Sequence, residues 1–145
     1  MVVMADKSVP TSDHIRDIIS FVEASPTSYH AVAELTRRLE QAGFQRLEET
    51  ESWPSVEGRR YVVRDGALIA WITPEKVTPQ LGARIVGSHT DSPSFKLKPN
   101  ATVTNQGWQQ VGMEVYGGGL LNSWLDRDLG LSGRLVTCDG QAHLV

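Results

Sequence analysis

The sequence predicts an α/β chain, and three observations carry that expectation. Apolar residues recur with helical period through the opening stretch, and an Asp-Gly pair between two β-favouring runs marks a hairpin. A short apolar run at residues 83–87 then leads straight into Ser88-His89-Thr90-Asp91-Ser92-Pro93. In open α/β sheets the side chains just past a strand's carboxyl end project into the crevice between loops, so this last pattern also marks a candidate site.

Over residues 13–24, Ile15, Ile18, Ile19 and Val22 fall at i, i+3, i+4 and i+7, the stripe of an amphipathic helix, and Ser12 or Asp13 can cap its start. Pro26 ends that helix. A second is predicted from Thr27 or Ser28, with Val32, Leu35, Leu39 and Ala42 on one face and Gly43 as its stop. After Gly43 the period changes: residues 59–63 and 67–73 read as strands around the Asp65-Gly66 turn. Residues 74–79 are a connector and residues 83–87 a short strand. Pro93 and Pro99 punctuate a stretch read as irregular. Strands are predicted again at 110–116, 131–138 and 142–145, the last two joined by an Asp139-Gly140 turn. A composition shift near 94–100 is the best domain boundary. The chain stops inside its last predicted strand, at His143-Leu144-Val145, and is therefore expected to be truncated.

The chain has 145 residues and a net charge of -3, so it lacks the surplus of Lys and Arg that binding to nucleic acid or an anionic membrane surface requires. Its longest apolar run, Ala67 to Ile72, is far below the roughly 20 residues of a membrane-spanning helix. The start, Met1-Val2-Val3-Met4-Ala5-Asp6-Lys7, has no basic region followed by a sustained apolar stretch and does not read as a secretory signal. One cysteine, Cys138, permits no internal disulfide, and a reducing, cytoplasmic home is expected.

His89-Thr90-Asp91 is the sharpest chemical feature. A histidine at a strand end can hold a metal through one ring nitrogen while a carboxylate two residues on orients the ring through the other. Such a triplet on its own is more often a surface or capping pair. A zinc site needs three or four protein ligands, and His14, His30 and His143 are not at recognisable ligand spacing to His89. His14 reads as a helix-start surface residue and His30 as an ordinary first-turn residue. Gly117-Gly118-Gly119 lacks the ending of a phosphate loop and reads as a turn. Asp126-Arg127-Asp128 reads as a local ion-pair cluster rather than a cation site, and Cys138 as a buried, inert strand thiol. Trp53, Trp71, Trp108 and Trp124 read as core or interface anchors.

The longer string Ile85-Val86-Gly87-Ser88-His89-Thr90-Asp91-Ser92-Pro93-Ser94-Phe95-Lys96-Leu97-Lys98-Pro99 resembles the signature of the aspartyl aminopeptidase family of zinc metallopeptidases. Ser25-Pro26-Thr27-Ser28-Tyr29-His30-Ala31-Val32 is similar to that family's N-terminal helix junction, and Gly58-Arg59-Arg60-Tyr61-Val62-Val63-Arg64-Asp65-Gly66 to its first hairpin. Val115-Tyr116-Gly117-Gly118-Gly119 and Trp124-Leu125-Asp126-Arg127-Asp128-Leu129 resemble a second block. The likeness runs over about residues 13 to 136.

The resemblance implies a catalytic domain with two zinc ions, interrupted by an inserted β-rich domain used in dimer formation, in subunits that assemble into a dodecamer. The implied reaction removes N-terminal Asp or Glu from peptides by two-metal hydrolysis. It makes His89 the first metal ligand and Asp91, as the acid that holds that imidazole, a residue of the catalytic site. It puts the bridging Asp, the general-base Glu pair and the remaining ligands beyond Val145. Residues 1–93 are then the N-terminal part of the catalytic domain, and residues 94–145 the start of the inserted domain. Asp126 and Asp128 fall in the inserted-domain motif and are not assigned as ligands. Lys96 and Lys98 read as plain surface, and no substrate-binding residue is assigned. The expectation is an aminopeptidase acting on acidic N-termini, represented by an N-terminal piece. The alternative is a non-catalytic interaction or oligomerisation module that cannot hold two metals.

Overall fold

Both opening helices form in the computed structural model, which describes residues 11–53, 57–76, 78 and 81–145. The first ten residues, where the sequence shows no secretory pattern, lie outside the described ones. Helix α1 is Thr11–Glu23 and helix α2 is Ser28–Gln41. Thr27 caps α2 from an extended backbone, its hydroxyl accepting from the His30 N–H. At the other end Gly43 turns left-handed at φ 79°. Its N–H bonds the Glu40 carbonyl while that of Phe44 bonds Leu39, both at 2.9 Å, which satisfies carbonyls the helix leaves open.

Helix α2 carries the core. Ala31, Val32 and Leu39 are buried on it, and in strand β2 (Gly58–Arg64) Tyr61 is fully buried and its neighbour Val62 is buried. The Tyr61 hydroxyl donates to Glu40 Oε1 at 2.7 Å. Burial, reinforced by the Glu40 carboxylate, pushes the Tyr61 phenol up to about 12.

Helix α1 is attached differently. Arg38 of α2 donates to both carboxylate oxygens of Asp17 on α1, at 2.8 and 2.9 Å, and to Glu34 on its own helix at 2.7 Å. Its guanidinium also lies 5.3 Å from the centre of the Phe21 ring. The expected apolar stripe of Ile15, Ile18, Ile19 and Val22 is exposed. The helical period is therefore present, but α1 is held by charge rather than by burial of its stripe.

A three-stranded sheet runs in the order β1 (Gln45–Arg46), β2 (Gly58–Arg64), β3 (Ala67–Thr73). The β2–β3 hairpin is antiparallel, with Arg64 opposite Ala67 across the predicted Asp65-Gly66 turn. The parallel strand β1 carries no sequence signal of its own and is two residues long. Asp65 adopts φ 51°. Gly66 is required by space: a side-chain carbon there would lie 2.6 Å from Ser28 Oγ and 3.0 Å from Ser28 Cβ. The hairpin turn thus sits against the first turn of α2.

Residues 83–87 do not form the predicted strand. A strand gains its backbone hydrogen bonds from a neighbour, and no described segment pairs with this one, so Ile85 stays 89% exposed. The strand expected at 131–138 shortens to β6 (Arg134–Val136), paired with β7 (Ala142–Leu144). Thr137 and Asp139 close the intervening turn: the Thr137 hydroxyl and the Gln141 N–H both donate to Asp139 Oδ1. Cys138 therefore lies in a turn and is exposed, not buried in a strand. Arg134 returns to the hairpin, donating to Asp65 Oδ1 at 2.6 Å, with its guanidinium 4.3 Å from the centre of the Tyr29 ring.

The chain divides into two compact units, one of residues up to Thr90 together with Ser132–Val145, the other Asp91–Leu131. The segment from 94 to the end is thus shared between both. The second unit is built on a ribbon of β4 (Ser94–Asn105) and β5 (Trp108–Tyr116). Residues 94–100 read as irregular because of Pro99, yet they are strand: the register shifts between Leu97 and Thr102, and Pro99 falls within that irregularity, where its missing N–H costs no ladder bond. The ribbon turns through Gln106 at φ 52° and Gly107 at φ 82°, a left-handed pair suited to a two-residue hairpin loop. Phe95 packs on Trp124, ring centres 4.9 Å apart, beside the 3₁₀ turn Leu121–Trp124.

Two expectations follow for stability. Gly66→Ala should cost about 1–3 kcal/mol in urea unfolding because the added carbon meets Ser28, whereas Gly118→Ala, with open space around it, should change stability by no more than about 0.5 kcal/mol. Glu34 is drawn from 4.5 down to about 2 by hydrogen bonds from Arg37 and then Arg38. A depressed carboxyl stabilises fully above its unfolded value and loses that contribution as pH falls. The stability advantage over Glu34→Gln should therefore be largest above pH 4.5 and vanish as pH falls through about 2.

Candidate functional site

The polar string after residue 87 is placed by the hairpin. The Thr90 hydroxyl donates to the Gly66 carbonyl at 2.6 Å, tying the backbone next to His89 to the β2–β3 turn. The His89 side chain is exposed. It belongs to the first unit, whereas Asp91 opens the second. Asp91 Oδ2 accepts a 2.7 Å bond from the hydroxyl of Tyr116, the last residue of β5. That bond, and then the charge of the carboxylate, raises the Tyr116 phenol above its ordinary range. Tyr116 stands in the second block of resemblance, and no local pattern connects it to Asp91.

The remaining candidates scatter. His14 is exposed on α1, and His143 is exposed on β7 opposite Leu135. His30 is half-buried in the first turn of α2, its Nδ1 2.8 Å from the Thr27 hydroxyl, which is the structural role its position predicts. Asp126, at φ 53°, and Asp128 are exposed, and Arg127 donates to the Ser123 carbonyl. Gly117 turns left-handed at φ 74°, with Pro93 against it.

An imidazole is a suitable zinc donor, and a carboxylate two residues on can serve its other nitrogen. The described residues do not complete a zinc site, because no three His, Cys, Asp or Glu side chains among them come together as a metal-holding group. His89 fits one ligand position. A groove of about 460 Å³ lies elsewhere in the first unit, lined by Val32, Thr36, Val63, Leu144 and the Asp65 and Arg134 pair. Both charges of that pair are already engaged with each other. No helix among the described residues is long and apolar enough to cross a membrane.

A profile of the family described as Aminopeptidase I zinc metalloprotease (M18) matches residues 21–144. A probable M18 family aminopeptidase 2 of Streptomyces avermitilis is 54% identical over 132 residues, 91% of this chain and 31% of the relative. Another from Mycobacterium leprae is 46% identical over 119 residues, 82% of this chain and 28% of the relative. Among solved structures, the mApe1 dodecamer of S. cerevisiae matches with a TM-score of 0.82 at 33% identity, over 92% of this chain and 33% of that one. Ape4 in its complex with Nbr1 matches with a TM-score of 0.79 at 40% identity, over 89% of this chain and 26% of that one. The chain spans about a third of the length of the curated relatives it matches.

Proposed function

Because this chain belongs to the aminopeptidase I zinc metalloprotease (M18) family, we propose that it is the N-terminal part of a metallo-aminopeptidase that removes Asp and Glu from the N-termini of peptides. The observation that carries this reading is the family match across residues 21–144, which spans both His89 and Asp91. His89 supplies one zinc ligand and Asp91 orients its imidazole. The other donors of a two-zinc centre come from the part of the relatives that this chain does not span. The reading makes residues 1–93 the N-terminal part of the catalytic domain, residues 94–145, which open with the ribbon of β4 and β5, the start of an inserted β-rich dimerisation domain, and the working enzyme a cytoplasmic homo-oligomer. The dodecamer of the yeast mApe1 supports the homo-oligomer.

The chain's own contribution is positional. Thr90 holds the backbone beside His89 on the Gly66 carbonyl, and Tyr116 holds Asp91. Zinc, when bound, supplies the charge that polarises a scissile carbonyl.

In the intact protein, His89→Ala should lower both zinc content and peptide hydrolysis by at least about tenfold; unchanged zinc and unchanged hydrolysis would remove His89 from the site. The substrate class is read separately. kcat/KM for Asp- and Glu-terminated peptides should exceed that for the matching Leu-terminated peptide by about tenfold or more, and equal values would discard the acidic preference while keeping the aminopeptidase.

A further inference from the structure

We infer that Tyr116 is a positioning residue for Asp91, its phenol fixing the orientation of that carboxylate. The inference rests on the reading of Asp91 as the acid that orients His89. An exposed aspartate samples several rotamers, and a carboxylate that must present one oxygen to an imidazole N–H works only if it is held. Tyr116 meets that need with a 2.7 Å bond to Asp91 Oδ2, a hydrogen bond to a charged acceptor and so stronger than one between neutral groups.

Tyr116 is itself held from three sides. It pairs with Ser94 at the base of the ribbon. Gly117 follows in the left-handed region at φ 74°, and a side-chain carbon on it would lie 3.3 Å from Pro93 Cα. The Lys96 ammonium lies 6.0 Å from the Tyr116 ring centre. Pro93, whose ring limits the backbone two residues after Asp91, is thus pressed against the residue that follows Tyr116. Both ends of the hydrogen bond are anchored in the same unit, so the phenol oxygen is a fixed point from which the carboxylate is oriented.

A surface hydrogen bond with no positioning role would look the same in a stability measurement, so the test uses zinc retention and a double-mutant cycle. Tyr116→Phe in the intact protein keeps the ring near Lys96 and the pairing with Ser94 and removes only the hydroxyl. Zinc affinity is measured by competition with a chromogenic chelator. The expected result is a loss of about 3- to 10-fold for Tyr116→Phe, with no further loss when the same change is made on an Asp91→Asn background. An equal loss on both backgrounds shows that Tyr116 acts independently of Asp91 and overturns the inference. Loss of zinc in Asp91→Asn but none in Tyr116→Phe also overturns it, and leaves the reading of Asp91 standing. Unchanged zinc affinity in Asp91→Asn removes that reading and the inference with it.

Discussion

The first unit depends on a close approach between backbone and side chain at Gly66. The hairpin turn sits so near Ser28 that no side-chain carbon fits between them, and that contact brings the hairpin against the first turn of α2. Two further attachments use the same turn, and a third lies beside it. Asp65 takes the Arg134 guanidinium, the Gly66 carbonyl takes the Thr90 hydroxyl, and Tyr29, next to Ser28, lies under Arg134. Segments far apart in sequence therefore converge on two residues, Asp65 and Gly66.

Around that point the energetic terms divide by element. Helix α2 and strand β2 bury apolar side chains, with Tyr61 as the largest and its hydroxyl satisfied by Glu40. Helix α1 and the β6–β7 hairpin are instead tied through arginines, Arg38 to Asp17 and Arg134 to Asp65. Ion pairs of this exposure each contribute on the order of 1 kcal/mol or less. The elements carried by α2 and β2 are accordingly the best secured, and α1 the least. The second unit is a ribbon with Trp108 73% exposed beside its turn. Its order comes from the ladder between β4 and β5 and from Phe95 on Trp124.

The candidate segment around His89 falls where these two kinds of support meet in the sequence. His89 follows backbone that makes no strand, and the residue after it is fixed to the hairpin through Thr90. Asp91 is fixed within the second unit through Tyr116. The residue after His89 and the acid two residues on thus have separate anchors, one in each unit.

By itself the sequence determined both helices, the Gly43 stop of α2, the Asp65-Gly66 hairpin, the Asp139-Gly140 turn and the family to which the string around His89 belongs. These features are legible because the interactions that make them are short in sequence: i to i+4 hydrogen bonds, a left-handed glycine just past a helix end, a two-residue turn. Tertiary structure decided the rest. Residues 83–87 have the composition of a strand and no partner to pair with, while residues 94–105 contain a proline and are strand because β5 lies alongside and the ladder skips a step at Pro99. Cys138 is exposed because Thr137 and Asp139 close a turn around it, the stripe of α1 is uncovered because Arg38 binds its other side, and the partner of Asp91 is a tyrosine 25 residues away. Each of these depends on which distant group arrives alongside, and local composition carries no record of that.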